Sequence, residues 1–222
     1  MTELGRWVRV SAMVVLVSSF LVTSAIPSVA SEAVAAPSER PDSTVNSLHE
    51  ALLGVMKEAD TLGYEGRFER LYPLLPQLFD LPFMAQKSIG RYWKSTSEEE
   101  RARLLETFKR FTTANYAGNF DDYTGQVFET LGTEESTHGT MLVRSHLVNP
   151  DGETIQLNYR MRLVDGHWKI IDIYLNGTVS ELALRRSEYS SLIEREGFDA
   201  LLAALDEKVA NLSVSTPAAQ SP

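Results

Sequence analysis

Apolar residues along this chain recur first at a helical period, then at every second position, then at a helical period again. Leu48, Leu52, Val55, Met56 and Ala59 fall on one face of a helix. Ser47 with Glu50 predicts a capping box at its start, and Gly63 predicts its end. Phe68, Leu71, Tyr72, Leu75, Leu78 and Phe79 form a second helical face, which Pro73 and Pro76 must bend or break. Asp80 predicts the cap of a third, short helix with Pro82 in its first turn. Phe83, Met84, Ile89, Tyr92 and Trp93 supply its apolar side, and Gly90 predicts a close approach to another backbone. Ser97 with Glu98, Glu99 and Glu100 caps a long fourth helix, whose stripe is Leu104, Leu105, Phe108, Phe111 and Tyr116.

From about Gln126 the period is two. Met141, Val143, Ser145 and Leu147 alternate with Leu142, Arg144 and His146. Ile155, Leu157, Tyr159, Met161 and Leu163 alternate with Thr154, Gln156, Asn158, Arg160 and Arg162, the pattern of a strand with one face buried. Asn149-Pro150-Asp151-Gly152 and Asp165-Gly166 are turn signals. Strands are therefore expected near 126–132, 138–148, 153–164 and 167–175. Val179, Leu182, Ala183 and Leu184 then open one helix, and Phe198, Leu201, Leu202, Leu205 and Val209 carry a last one. The reading is an α+β fold: N-terminal helices, a four-stranded antiparallel twisted sheet and C-terminal helices, with the helices covering the apolar face of the sheet and the helix that starts at Ser97 expected to lie over it through Phe108, Phe111 and Tyr116.

The first thirty residues carry a different signal. Arg6 and Arg9 precede an apolar run of about eleven residues, Ala12 to Val22. A spanning helix needs ~20. Small residues follow, with Ser28-Val29-Ala30 and Val34-Ala35-Ala36 as cleavage patterns. This predicts a secretory signal peptide over 1–30, cleaved near Ala30 or Ala36, and a soluble protein outside the inner membrane. Residues 31–43 read as a disordered mature N-terminus, 44–213 as one domain, and 214–222 as a disordered tail.

The chain has 222 residues, 43% hydrophobic and 23% charged, with a net charge of -9 and no cysteine. The charge gives no electrostatic footprint for nucleic acid. The missing thiol excludes cysteine catalysis, thiolate metal sites and disulfides. No nucleophile elbow, phosphate-binding loop, dinucleotide fingerprint or zincin helix is present. His138, His146 and His167 read as solvated strand or turn residues, and Asp121-Asp122 as a helix-end pair. Asp172 stands in the apolar strand "WKIIDIYL", where a carboxylate needs partners: backbone amides, or an arginine such as Arg160 or Arg185.

Three stretches carry a resemblance. "FDLPFMAQKSIGRYWKSTSEEERARLLETFKRF", "NYAGNFDDYTGQVFE" and "HWKIIDIYLNGTVSELALRRSEYSSLIEREGFDALLAALDEKV" occur in the order found in the MlaC/toluene-tolerance family. The similarity runs over roughly residues 45–212. One departure is an extra residue in Gly177-Thr178-Val179-Ser180, which is more similar to the hopanoid-biosynthesis-associated branch of that family.

The resemblance implies a periplasmic carrier that takes the tails of a phospholipid or a hopanoid into a pocket between sheet and helices. It also implies an inner-membrane lipid transporter complex as partner. No cofactor is expected beyond the bound lipid, and a monomer is expected. The residues expected to meet the tails are Met84, Phe108, Phe111 and Tyr116 from the helices. From the strands they are Met141, Val143, Ile155, Leu157, Tyr159, Met161, Ile171 and Ile173. A tail of ~15 methylenes gains about 12 kcal/mol on leaving water for either protein or bilayer, so exchange between the two is near neutral. Two other readings compete. A cone-shaped α+β pocket also suits a small-substrate isomerase or hydratase, with Asp172 or His146 as base. A pure interaction protein would have a dry core and no such pocket.

Overall fold

The computed structural model describes residues 40–215. The expected signal peptide, both cleavage patterns and residues 216–222 lie outside the described residues.

Helix α1 spans Pro41–Lys57 and begins six residues before the expected Ser47 cap. Proline at the first helical position, with Asp42 beside it, starts the helix instead. Ser47 lies inside the helix, its hydroxyl 3.0 Å from the Ser43 carbonyl. Residues 41–43, read as part of the disordered stretch, are its first turn. Helix α2 (Ala59–Leu71) follows, and Gly63 kinks it at φ 58° rather than ending the first helix. Pro73 ends α2 as expected, and a single turn, α3 (Leu75–Leu78), follows. Asp80 caps α4 (Leu81–Ser88) by accepting from the Phe83 amide at 3.2 Å. A 3₁₀ turn, Gly90–Lys94, leads to α5 (Glu98–Asn119). Its start is the expected capping box: Ser97 Oγ accepts from the Glu100 amide, and the Glu100 carboxylate accepts from the Ser97 amide.

The sheet is an antiparallel meander in the order β1 (Val127–Glu135), β2 (Met141–Val148), β3 (Thr154–Val164), β4 (His167–Leu175) and β5 (Val179–Ser180). It therefore has five strands rather than four. Asn176 and Gly177, at φ 50° and 76°, turn the chain back so that Val179 and Ser180 pair with Leu175 and Tyr174. Two residues are too few to show a period, so β5 had no signature of its own. Helices α6 (Glu181–Glu196) and α7 (Phe198–Ser215) close the fold.

The pairing of β3 with β4 is interrupted by a bulge. Arg160 faces Asp172, but Met161 faces Ile170, so Ile171 is the extra residue. The core face of the sheet carries Val143, Leu147, Leu157, Tyr159, Met161 and Ile170, all buried. Helix α1 lies against this face, tied by Thr44 Oγ1 to the Trp168 carbonyl at 3.0 Å and by His49 to Tyr159 at 3.1 Å. The expectation that α5 covers the sheet is thus corrected. Most of α5 packs on α2 and α7, and it meets the sheet only through the end that carries Tyr116. Buried Arg67 fixes that arrangement by donating from Nε to the Ala117 carbonyl at 2.9 Å and from Nη1 to the Ala59 carbonyl at 3.3 Å.

Candidate functional site

A cavity of about 340 Å³ opens where the end of α5, the start of α6 and strands β3 and β4 converge. Leu157, Tyr159, Ile173 and Leu175 form its floor. Phe79, Met84, Tyr116 and Phe120 form walls, and Leu182 stands at the α6 side. Phe79 is brought there because Asp80 donates its amide to the Ile170 carbonyl at 2.9 Å, pinning the chain along the free edge of β4.

A series of ring contacts links α1 to the cavity wall. His49 stacks on Phe128 at 4.1 Å, Phe128 meets Phe120 at 6.3 Å, Phe120 meets Tyr116 at 5.7 Å, and Tyr116 meets Phe79 at 5.7 Å. Beyond Phe120 lies a second hollow of about 300 Å³, lined by Met56, Leu147 and Ile155 among others. Phe120 and Leu157 border both spaces.

The two phenols of the cavity stay neutral, because burial pushes the Tyr116 and Tyr159 hydroxyls well above the ordinary phenol range. Outside the cavity, burial lowers the pKa of His49, the hydrogen-bond partner of Tyr159, to about 4. The charged and amide groups of the lining, Asn115, Asn119, Glu181 and Arg185, are half-buried or exposed and form the rim, while the buried Thr112 hydroxyl is a polar group of the wall. The Arg185 guanidinium lies 5.3 Å from the Phe111 ring centre and 5.8 Å from that of Phe108. A cation over these rings shields them from water while keeping its charge outside.

Asp172 sets the start of α6. Oδ1 accepts from the amides of Ile173 at 2.8 Å and Leu182 at 3.0 Å, and Oδ2 accepts from Ser180 Oγ at 2.6 Å. Ser180 in turn accepts from the Ala183 amide at 3.0 Å. The partners are backbone amides and a hydroxyl rather than Arg160 or Arg185. Both carboxylate oxygens are engaged, which suits an anchor better than a base. Among the described residues, no cluster of three or more His, Asp or Glu side chains is placed to hold a metal ion. Among them too, no helix is long and apolar enough to cross a membrane.

Met84, Tyr116, Leu157, Tyr159 and Ile173, all expected at a pocket, line the cavity. Ile155 lines the hollow beyond Phe120. Ile171 is turned by the bulge toward the opposite face. Phe108, Val143 and Met161 are fully buried in the close-packed core. Phe111 lies beneath Arg185, and Met141 is half-buried at the start of β2. Tyr92 borders neither space. Trp93 is half-buried against the core beneath Arg101, whose guanidinium is 4.9 Å from its ring. Sequence reasoning missed Phe79, Phe120, Leu175 and Leu182 as lining residues. Leu175 was legible, being in phase with Ile173. The other three depend on where helix ends lie against the sheet.

The fold and this cavity define an α+β domain built around an internal apolar pocket with a polar rim. The chain belongs to the MlaC protein family, whose model matches residues 46–207. Over 138 residues it is 25% identical to the intermembrane phospholipid transport system binding protein MlaC of Haemophilus influenzae, a match covering 60% of this chain and 64% of that relative's length. The fold is shared with the phospholipid-binding protein of Ralstonia solanacearum, solved in complex with a phospholipid. That likeness has a TM-score of 0.68 and 22% identity, and covers 79% of this chain and 99% of the other.

Proposed function

We propose that this protein is a periplasmic carrier that takes an acyl tail of a phospholipid into the cavity between α5, α6 and the sheet, and passes it to or from an inner-membrane transporter complex. The observation that carries the reading is an apolar, uncharged interior with its charged and amide groups confined to the rim. That arrangement matches an amphiphile end for end. The family membership and the phospholipid in the Ralstonia solanacearum structure support it. At about 340 Å³ the cavity is at the lower end of ligand pockets, and Phe120 separates it from a second hollow whose lining mixes Met56, Leu147 and Ile155 with Asp121, Asp122 and Gln126.

A signal peptide over 1–30 would deliver such a carrier to the periplasm. A hopanoid is the second reading of the ligand. It rests on the extra residue in Gly177–Ser180, the segment that completes the turn after β4 and forms β5. The test is solvent extraction of the purified protein followed by mass spectrometry. Stoichiometric phospholipid is expected, and a triterpenoid in its place selects the second reading. A protein that carries no lipid, and takes none from liposomes, overturns both.

A further inference from the structure

A larger hollow, of about 660 Å³, lies on the other face of the sheet, and Leu182 borders both it and the apolar cavity. Arg160 and Asp172 oppose one another across β3 and β4, one residue out of phase with Tyr159 and Ile173, so they project to this second face. The walls carry Lys87, Arg160, Arg162 and Arg186, with Phe83 and Ile171 between them.

The carboxylates nearby are already engaged. Asp80 Oδ2 pairs with Arg162 Nε at 2.5 Å, and Asp172 accepts its three hydrogen bonds from Ser180, Ile173 and Leu182. Arg160 touches only neutral oxygens, Thr140 Oγ1 at 3.0 Å and Thr137 Oγ1 and O at 2.7 and 3.2 Å. Lys87 lies 5.2 Å from the Phe83 ring centre. Among the described residues, neither Lys87 nor Arg186 has a carboxylate partner. Arg186 is nonetheless seated: a Cβ on Gly90, at φ 54°, would lie 2.8 Å from its Nε. The glycine of the 3₁₀ corner thus makes the berth for a cation of the cleft.

The chain as a whole is acidic, with a net charge of -9. A hollow walled by four cations and one engaged carboxylate, Asp172, with Asp80 reaching Arg162 from outside the lining, reverses that balance, and its apolar walls focus the field.

We infer that this cleft binds a net-anionic phosphate group, and that its occupant is the headgroup of a lipid whose tail crosses Leu182 into the apolar cavity. The inference rests on the carrier reading. It predicts selection among lipids that share the same tails.

The test exposes the full-length mature protein to vesicles of equal parts phosphatidylglycerol and phosphatidylcholine with matched chains, then extracts and quantifies the lipid it holds. Enrichment of phosphatidylglycerol by about fivefold at low salt is expected, shrinking as salt shortens the screening length. Lys87→Gln with Arg186→Gln should bring the ratio to that of the vesicles, and Lys87→Arg should keep it. Inorganic phosphate, titrated by calorimetry, should bind the lipid-free protein and not the lipid-loaded one. Lipid uptake with no enrichment overturns the headgroup assignment and leaves the carrier reading standing. Equal phosphate binding with and without lipid also overturns it, assigning the cleft to a free anion. If no lipid is taken up, the carrier reading fails, and phosphate binding alone then decides whether the cleft is an anion site.

Discussion

The His49 ring shares a hydrogen bond of 3.1 Å with the Tyr159 hydroxyl and stacks on Phe128 at 4.1 Å, so a titratable group stands where α1 meets the sheet. Burial holds it neutral, with a pKa of about 4 against 6.5 in the unfolded chain. Between those values the unfolded chain binds the extra proton. Stability therefore falls as pH drops from about 6.5 to about 4, by roughly 3 kcal/mol for this group, and its contribution is fully present above that window. Urea unfolding of the wild type and of His49→Phe across this range checks it. The variant should show the shallower pH slope, and equal slopes would refute the assignment.

Phe120 divides the apolar cavity from the hollow beside Met56 and Ile155. Phe120→Ala should join the two and shift bound lipid toward longer acyl chains. It should also cost roughly 3 kcal/mol or less of stability, because the ring is only half-buried. Mass spectrometry of copurified lipid from the variant and the wild type gives the comparison.

Asp172 organises Ser180 and the first turn of α6. Asp172→Ala leaves the Ile173 and Leu182 amides without that acceptor and should lower stability by about 3 kcal/mol. Hydrogen exchange should show the loss concentrated in 180–190, because the rest of the sheet keeps its ladder. Uniform loss of protection would mean that the carboxylate does more than anchor this helix.

Gly90 and Arg186 should be energetically coupled. Gly90→Ala meets both a left-handed backbone and a guanidinium at 2.8 Å, and should cost about 2 kcal/mol or more. Arg186→Ala on the same background should recover the steric part and leave the backbone part. A double-mutant cycle by thermal unfolding reads the coupling, and additive effects would place the arginine elsewhere in solution.

Much of the fold was legible because it is written in local chemistry. The Ser97–Glu100 box, the Asp80 cap, the break at Pro73 and the two hairpin turns each depend on residues within a few positions of one another. The strands were legible because β2 and β3 alternate cleanly. Three features were not. Pro41 outweighed the Ser47–Glu50 pattern because a helix starts wherever its first turn is satisfied, and the earlier start left Ser47 internal. Gly90 was read as a backbone contact, but what it accommodates is a side chain some ninety-six residues away. His49 sits in the same stripe as Val45 and Leu52, yet nothing local shows that Tyr159 waits opposite.

For the site, alternation alone placed Leu157, Tyr159 and Ile173 on one face, and that face does floor the cavity. The sequence by itself determined which residues are apolar, at what period, and hence that a one-sided sheet must be covered by helices. Only the tertiary structure decided where that cover is incomplete. α1 seals the sheet over His49, while α5 turns toward α2 and α7 and leaves a gap at Tyr116 and Phe120. A bulge of one residue sends Ile171 to the opposite face. Packing density is a property of how elements meet, and no periodicity along a chain records which of its buried faces will close and which will stay open.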